Sequence, residues 1–212
     1  MTLNEIGLKT GTDKSTVTHH YLDNYEKYFE ELRYVRLVIL EIGVGNGSSI
    51  KMWRQYFENS KVYGIDNNPD CAGDGIFIGS QDDEQFLDKV LVEIGKPDII
   101  IDDCSHYSPL TIKSFEYLFP KMADDGWYVV EDTACFYDKT YGLAPDFDKG
   151  MSDVFNFFSG LASHVDIQGR GMTGNVEYAL RVQNENFAPV PKYSPILESM
   201  HIHPSLWFFK KR

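Results

Sequence analysis

From residue 35 to residue 130 the sequence alternates short apolar, β-rich runs with longer stretches whose apolar residues recur at helical spacing, and that alternation leaves few folds open to it. Residues 35–42, 61–65, 75–78, 97–101 and 126–130 read as strands. Residues 48–57, 83–94 and the segment opened by Ser108-Pro109 read as helices, proline being well suited to a first helical turn. Strands separated by single helices are joined in parallel, so the pattern predicts an α/β fold built on a doubly wound, mostly parallel sheet. Helices are also expected over 21–32, with Leu22, Tyr25, Tyr28, Phe29 and Leu32 along one side, and over 148–161. Residues 163–199 are rich in Gly, Asn and Pro, carry one weak strand signal at 176–182, and read as a variable excursion. Residues 200–209 suit two short strands turning at His203-Pro204-Ser205, an antiparallel ending to the sheet. A chain of 212 residues, 42% of them hydrophobic, can bury one good-sized core and is expected to form a single domain.

The first strand runs directly into Leu40-Glu41-Ile42-Gly43-Val44-Gly45-Asn46-Gly47-Ser48. Glycine at every second position lets the backbone turn tightly and approach a ligand where a Cβ would collide. A dinucleotide fingerprint would need its third glycine at position 48, where Ser48 stands. The spacing E-x-G-x-G-x-G instead resembles the S-adenosylmethionine (SAM) loop of class I methyltransferases. The second strand ends in Asp66, about 20 residues past the loop, where an acidic residue can bind both ribose hydroxyls. The third leads into Gln81-Asp82, whose amide or carboxylate could meet an adenine amino group; Asp82 could equally cap the helix that follows.

Two apolar strands deliver charge at their ends. Pro97-Asp98-Ile99-Ile100-Ile101 is followed by Asp102-Asp103-Cys104-Ser105-His106, and Gly126-Trp127-Tyr128-Val129-Val130 by Glu131-Asp132-Thr133. Strand ends are where open α/β sheets bind ligands. Carboxylates on neighbouring ends could share Mg²⁺, which takes one or two protein carboxylates and completes its shell with water and substrate oxygens. His106 would sit beside the ion as a proton acceptor. The plain alternative is that Asp103 and Asp132 cap following helices.

Charge and composition exclude other classes. A formal net charge of −12 opposes a nucleic-acid partner, because phosphate binding needs clustered Lys and Arg. No run approaches the ~20 apolar residues of a membrane span, and the first residues lack a basic and apolar leader, so a soluble, cytoplasmic protein is expected. Cys71, Cys104 and Cys135 are odd in number and lack paired metal spacing, which argues against a disulfide framework or a structural zinc site.

Taken together, these segments resemble the metal-dependent SAM O-methyltransferases that act on sugars of macrolides and related glycosylated natural products. The resemblance rests on Gly11-Thr12-Asp13-Lys14, residues 40–47, Met52-Trp53-Arg54-Gln55-Tyr56-Phe57, residues 62–66, residues 98–106, Ser114-Phe115 with Leu118-Phe119-Pro120, and residues 128–132. It implies a Rossmann-like class I fold, and SAM bound by Thr12, Lys14, Tyr21, Glu41, Gly43, Gly45, Asp66, Asn67, Gln81, Asp82 and Asp102. Asp103, Glu131 and Asp132 would hold Mg²⁺ or another divalent cation, and His106 would take the proton. Residues 1–34 would form a lid, with Lys14 pairing with the carboxylate of the cofactor's methionine end. A small-molecule hydroxyl acceptor, a sugar, is implied, in a homo-oligomer. Cys104 stands where the family usually has Gly and removes none of these ligands. The extra N-terminal region of the long macrolide enzymes is expected to be absent, so the resemblance reaches the chemistry rather than a macrolide acceptor.

On this reading the ion chelates two adjacent hydroxyls and lowers the pKa of one, His106 removes its proton, and the alkoxide attacks the methyl group. Acceptor contacts are expected from residues 134–147 and 163–199, with Phe136, Tyr137, Tyr141, Arg170, His201 and His203 as candidates. A catechol O-methyltransferase with the same metal site, and a SAM-binding module without catalysis, are the alternatives. Iron oxygen chemistry, linked to cephalosporin-modifying relatives, is disfavoured for want of a two-His, one-carboxylate triad.

Overall fold

The fold is that of a computed structural model, which describes residues 1–137, 153–171 and 196–212. Thirteen main elements follow in order: helices α1 (Leu3–Thr10) and α2 (Leu22–Phe29), strand β1 (Val38–Ile42), α3 (Ser48–Tyr56), β2 (Lys61–Asp66), β3 (Ile76–Ile78), α4 (Glu84–Ile94), β4 (Ile99–Asp102), α5 (Ser108–Leu118), β5 (Trp127–Glu131), α6 (Asp153–Gly171), β6 (Leu197–His203) and β7 (Leu206–Lys211). The seven strands form one sheet in the order β3-β2-β1-β4-β5-β7-β6. The first five are parallel, and β7 and β6 are antiparallel. Two antiparallel strands thus close the sheet, as the turn at 203–205 predicts, and they begin earlier and end later than 200–209. The weak strand signal at 176–182 lies outside the described residues.

The sheet reverses its direction of travel between β1 and β4, and there the ends of neighbouring parallel strands open a crevice. Alternation along each strand sorts side chains onto two faces. Leu40, Ile42, Ile100, Tyr128, Val130, Trp207 and Phe209 join a core beneath α4, α5 and α6. Ile39, Ile99, Ile101, Val129, Leu206 and Phe208 join a second core beneath α1, α2 and α3. The same parity sends Glu41 and Glu131 toward the α1–α3 side and Asp102 toward the other. Among the described residues no helix is long and apolar enough to cross a membrane.

Two helix boundaries carry their chemistry plainly. Asp83 caps α4, its carboxylate accepting from the amides of Gln85 and Phe86 at 3.0 and 3.1 Å. Helix α1, which the periodicity does not reveal, opens with Thr2 and Glu5 in a reciprocal capping box and ends at Gly11 with φ 75°.

Candidate active site

The loops after β1, β2, β3, β4 and β5 and the segment between α1 and α2 line a cleft of about 440 Å³. Its floor depends on Gly43. That residue has φ 96°, and a Cβ there would lie 2.0 Å from the carbonyl oxygen of Asp103. Only glycine lets the first loop pack against the loop after β4. Asp66 fastens the same loop from the other side, accepting from the amides of Val44, Gly45 and Asn68 at 2.9, 3.0 and 2.8 Å. Partial burial opposes its ionisation, but those amides outweigh it and hold the carboxyl below its ordinary value. Asp66, Asn67, Gly43, Gly45, Thr12 and Gln81 all line the cleft.

Gln81 donates from Nε2 to Ser114 Oγ at 3.1 Å and Asp102 Oδ1 at 3.4 Å, while its buried Oε1 has no hydrogen-bond partner among the described residues. Asp102 does not line the cleft. Strand parity turns it beneath α5, where Ser114 donates at 2.6 Å and Tyr128 at 2.8 Å. Burial pushes its carboxyl up to about 6, against the opposing pull of those two hydroxyls. Asp82 also lies off the cleft, accepting from Ser80 at 2.5 Å with Lys113 3.5 Å away.

At the far end stand the acidic groups of β1, β4 and β5. Lys14, 1% exposed, places its ammonium 2.8 Å from Glu131 Oε2 and 3.5 Å from Glu41 Oε1, and donates to Asp103 Oδ2. Burial alone would lower its pKa, yet Asp103, Glu131 and Glu41 together hold it well above its ordinary value. Tyr25 donates to Glu131 Oε1 at 2.5 Å. Burial raises the Glu131 carboxyl despite Lys14, and lifts Glu41, which accepts from Ser49 at 2.9 Å, to about 7. Glu131 and Glu41 are enclosed and do not line the cleft.

Asp132 and His106 face the opening. Tyr21 donates to Asp132 Oδ1 at 2.5 Å, and His106 Nε2 lies 3.6 Å from Asp132 Oδ2. Both His106 (φ 49°) and Asp132 (φ 53°) are left-handed, a conformation that costs a non-glycine residue roughly 1–3 kcal/mol and collects at functional sites. Asp103 does not cap α5, whose N-cap is Tyr107. Asp103, His106 and Asp132 instead bring one potential ligand atom each within 4.8 Å of one another. Sequence reasoning missed His19, whose Nδ1 lies 3.9 Å from Asp132 Oδ1 and whose ring stacks on Tyr21. It also took Tyr25 as packing only, though its spacing of four from Tyr21 puts both hydroxyls on one helical side.

Comparison with known proteins bears on this geometry. No protein-family model matches the chain. It is 37% identical to the 8-demethyl-8-(2-methoxy-alpha-L-rhamnosyl)-tetracenomycin-C 3'-O-methyltransferase of Streptomyces olivaceus, over 67% of this chain and 39% of that one. It is 32% identical to that organism's 8-demethyl-8-alpha-L-rhamnosyl tetracenomycin-C 2'-O-methyltransferase, over 98% of this chain and 54% of that one. The MycE methyltransferase of the mycinamycin biosynthetic pathway, solved with Mg, SAH and mycinamycin VI, superposes with a TM-score of 0.79 at 25% identity, over all of this chain and 55% of that one. The chain belongs to the sugar O-methyltransferase family of macrolide and polyketide pathways. This family member spans about half the length, or less, of the curated relatives it matches. Its sheet and helices are those of class I methyltransferases.

The expected acceptor contacts divide. In this family member Phe136 is buried in the core, so packing accounts for it. His203 accepts or donates at 2.8 Å with the Tyr28 hydroxyl, and His201 is 3.0 Å from Ser199 Oγ. Arg170 lies in α6, and Tyr141 is outside the described residues.

Proposed function

We propose that this chain transfers a methyl group from SAM to a sugar hydroxyl of a glycosylated small molecule, with the help of a divalent cation, in the cytoplasm and as a homo-oligomer. The observation that carries the reading is the meeting of Asp103, His106 and Asp132 at one end of a cleft whose other end is built by the glycine loop and Asp66. The residues fit both groups. Two carboxylates within 4.8 Å of each other suit a hard cation, which would lower the pKa of a chelated hydroxyl. An ionised Asp66 suits ribose hydroxyls, and the unpartnered Oε1 of Gln81 suits an amino donor such as that of adenine.

The chain's own residues do the rest. Asp66 and the backbone of Gly43 and Gly45 orient the nucleoside, and Asp103 and Asp132 present oxygens toward the acceptor end. His106 accepts the acceptor proton at Nε2, and Asp132, 3.6 Å away, stabilises the resulting imidazolium. Holding hydroxyl and methyl in near-attack geometry supplies much of the acceleration.

Turnover of sugar nucleotides, glycosides and catechols, followed as S-adenosylhomocysteine release with and without chelator, tests this. His106→Ala should lower kcat about 10²- to 10⁴-fold at neutral pH. Metal-dependent turnover at the wild-type rate in that variant would remove His106 from the mechanism, and a preference for catechols would replace the sugar acceptor.

A further inference from the structure

Lys14 lines the cleft, yet its ammonium is engaged by the chain's own carboxylates, where the resemblance implies a partner in the cofactor's carboxylate. Three carboxylates, Glu41 of β1, Glu131 of β5 and Asp103 just past β4, converge on the ammonium. Two of them are almost wholly buried. Without a cation among them, their mutual repulsion and desolvation would be heavily unfavourable. Asp103 is shared: one of its oxygens accepts from Lys14, and the residue also belongs to the cluster with His106 and Asp132.

We propose that Lys14 is a built-in counter-cation for this acidic cluster, one that keeps Asp103 and Glu131 in place when no divalent ion is bound and opposes that ion's binding at Asp103. The inference rests on the metal-assisted reading above. Its consequence runs against the usual effect of deleting a neighbour of a metal ligand, which is to weaken the site about 10- to 100-fold. Here the deleted neighbour carries the same sign of charge as the ion, so its loss strengthens binding. Because Lys14 belongs to the segment between α1 and α2, which also supplies Tyr21 to Asp132, ion binding and the seating of that segment are antagonistic.

The test is Mn²⁺ titration by electron paramagnetic resonance, together with thermal melts in chelator, for the wild type, Lys14→Met and Lys14→Arg. Lys14→Met should bind Mn²⁺ at least tenfold more tightly than the wild type, melt at a lower temperature in chelator, and recover more of that loss when Mn²⁺ is added. Lys14→Arg, which keeps the charge, should stay within a fewfold of wild-type affinity. If Lys14→Met does not fold in chelator, the double variant Lys14→Met/Glu41→Gln removes one charge of each sign and takes its place. Unchanged or weaker Mn²⁺ binding in the neutral variants, with the wild type binding normally, overturns the role of Lys14 alone. A wild type that binds no Mn²⁺ overturns the metal-assisted reading and this inference with it.

Discussion

Asp102 and Asp103 are neighbours with opposite surroundings, and strand parity is the reason. Asp103 lies beyond the last paired residue of β4 and reaches the acidic cluster, whereas Asp102 is the final strand residue and points beneath α5. With its folded pKa raised to about 6, Asp102 retains a proton that the unfolded chain, titrating near the ordinary value of 3.8, has already lost. Its contribution is therefore fully present below about pH 4 and disappears as the pH rises through 6; the full shift corresponds to roughly 3 kcal/mol. Asp102→Asn has no such dependence. Urea unfolding of both proteins should show the wild type gaining about 1.4 kcal/mol on the variant between pH 7.5 and pH 5. A gap independent of pH would mean that Asp102 titrates normally. The identities of these charged residues were visible in the sequence, and so was their gathering at strand mouths. Which way each one turns was not, because that depends on the exact last paired residue of each strand.

Among the elements, α5 ties the site to the core. Its Ser114 holds Asp102, and one turn of the helix carries Phe115, wholly buried against the rings of Phe119, Tyr128, Phe158 and Phe209. Phe115→Ala should cost about 3–5 kcal/mol in urea denaturation, as large buried rings do. Because Tyr128 then loses a ring partner while still donating to Asp102, the pH dependence just described should also soften. Most elements were legible from period and punctuation: α5 from Ser108-Pro109, α4 from the helical spacing of its apolar residues, and the final hairpin from His203-Pro204-Ser205. Helix α1 was not, since eight residues give too little periodicity, although Thr2 and Glu5 spell a capping box.

For the molecule as a whole, the proposed metal site predicts a stability that responds to divalent ions. An ion at a hundred times its dissociation constant stabilises the native state by about 2.7 kcal/mol. In a domain of this size that is about 5–10 °C in Tm. Differential scanning calorimetry should show such a rise with excess Mg²⁺ or Mn²⁺ and its reversal by chelator; no shift with either ion would speak against a site at Asp103 and Asp132. The contacts that complete this cluster were beyond reach of sequence patterns, because they join positions 106 to 117 residues apart, as in Tyr25 to Glu131 and Lys14 to Glu131. That separation also sets an order of events. Local helices and the early strands can form while the chain is being made, but Lys14, Tyr21 and Tyr25 have no carboxylate on β5 to meet until residues 131 and 132 have been added. Closing so long a loop is entropically unfavourable, and it is offset only once the parallel sheet is in place. The candidate site is thus completed only after β5 has been made, and its N-terminal residues spend the synthesis of the first five strands without those partners.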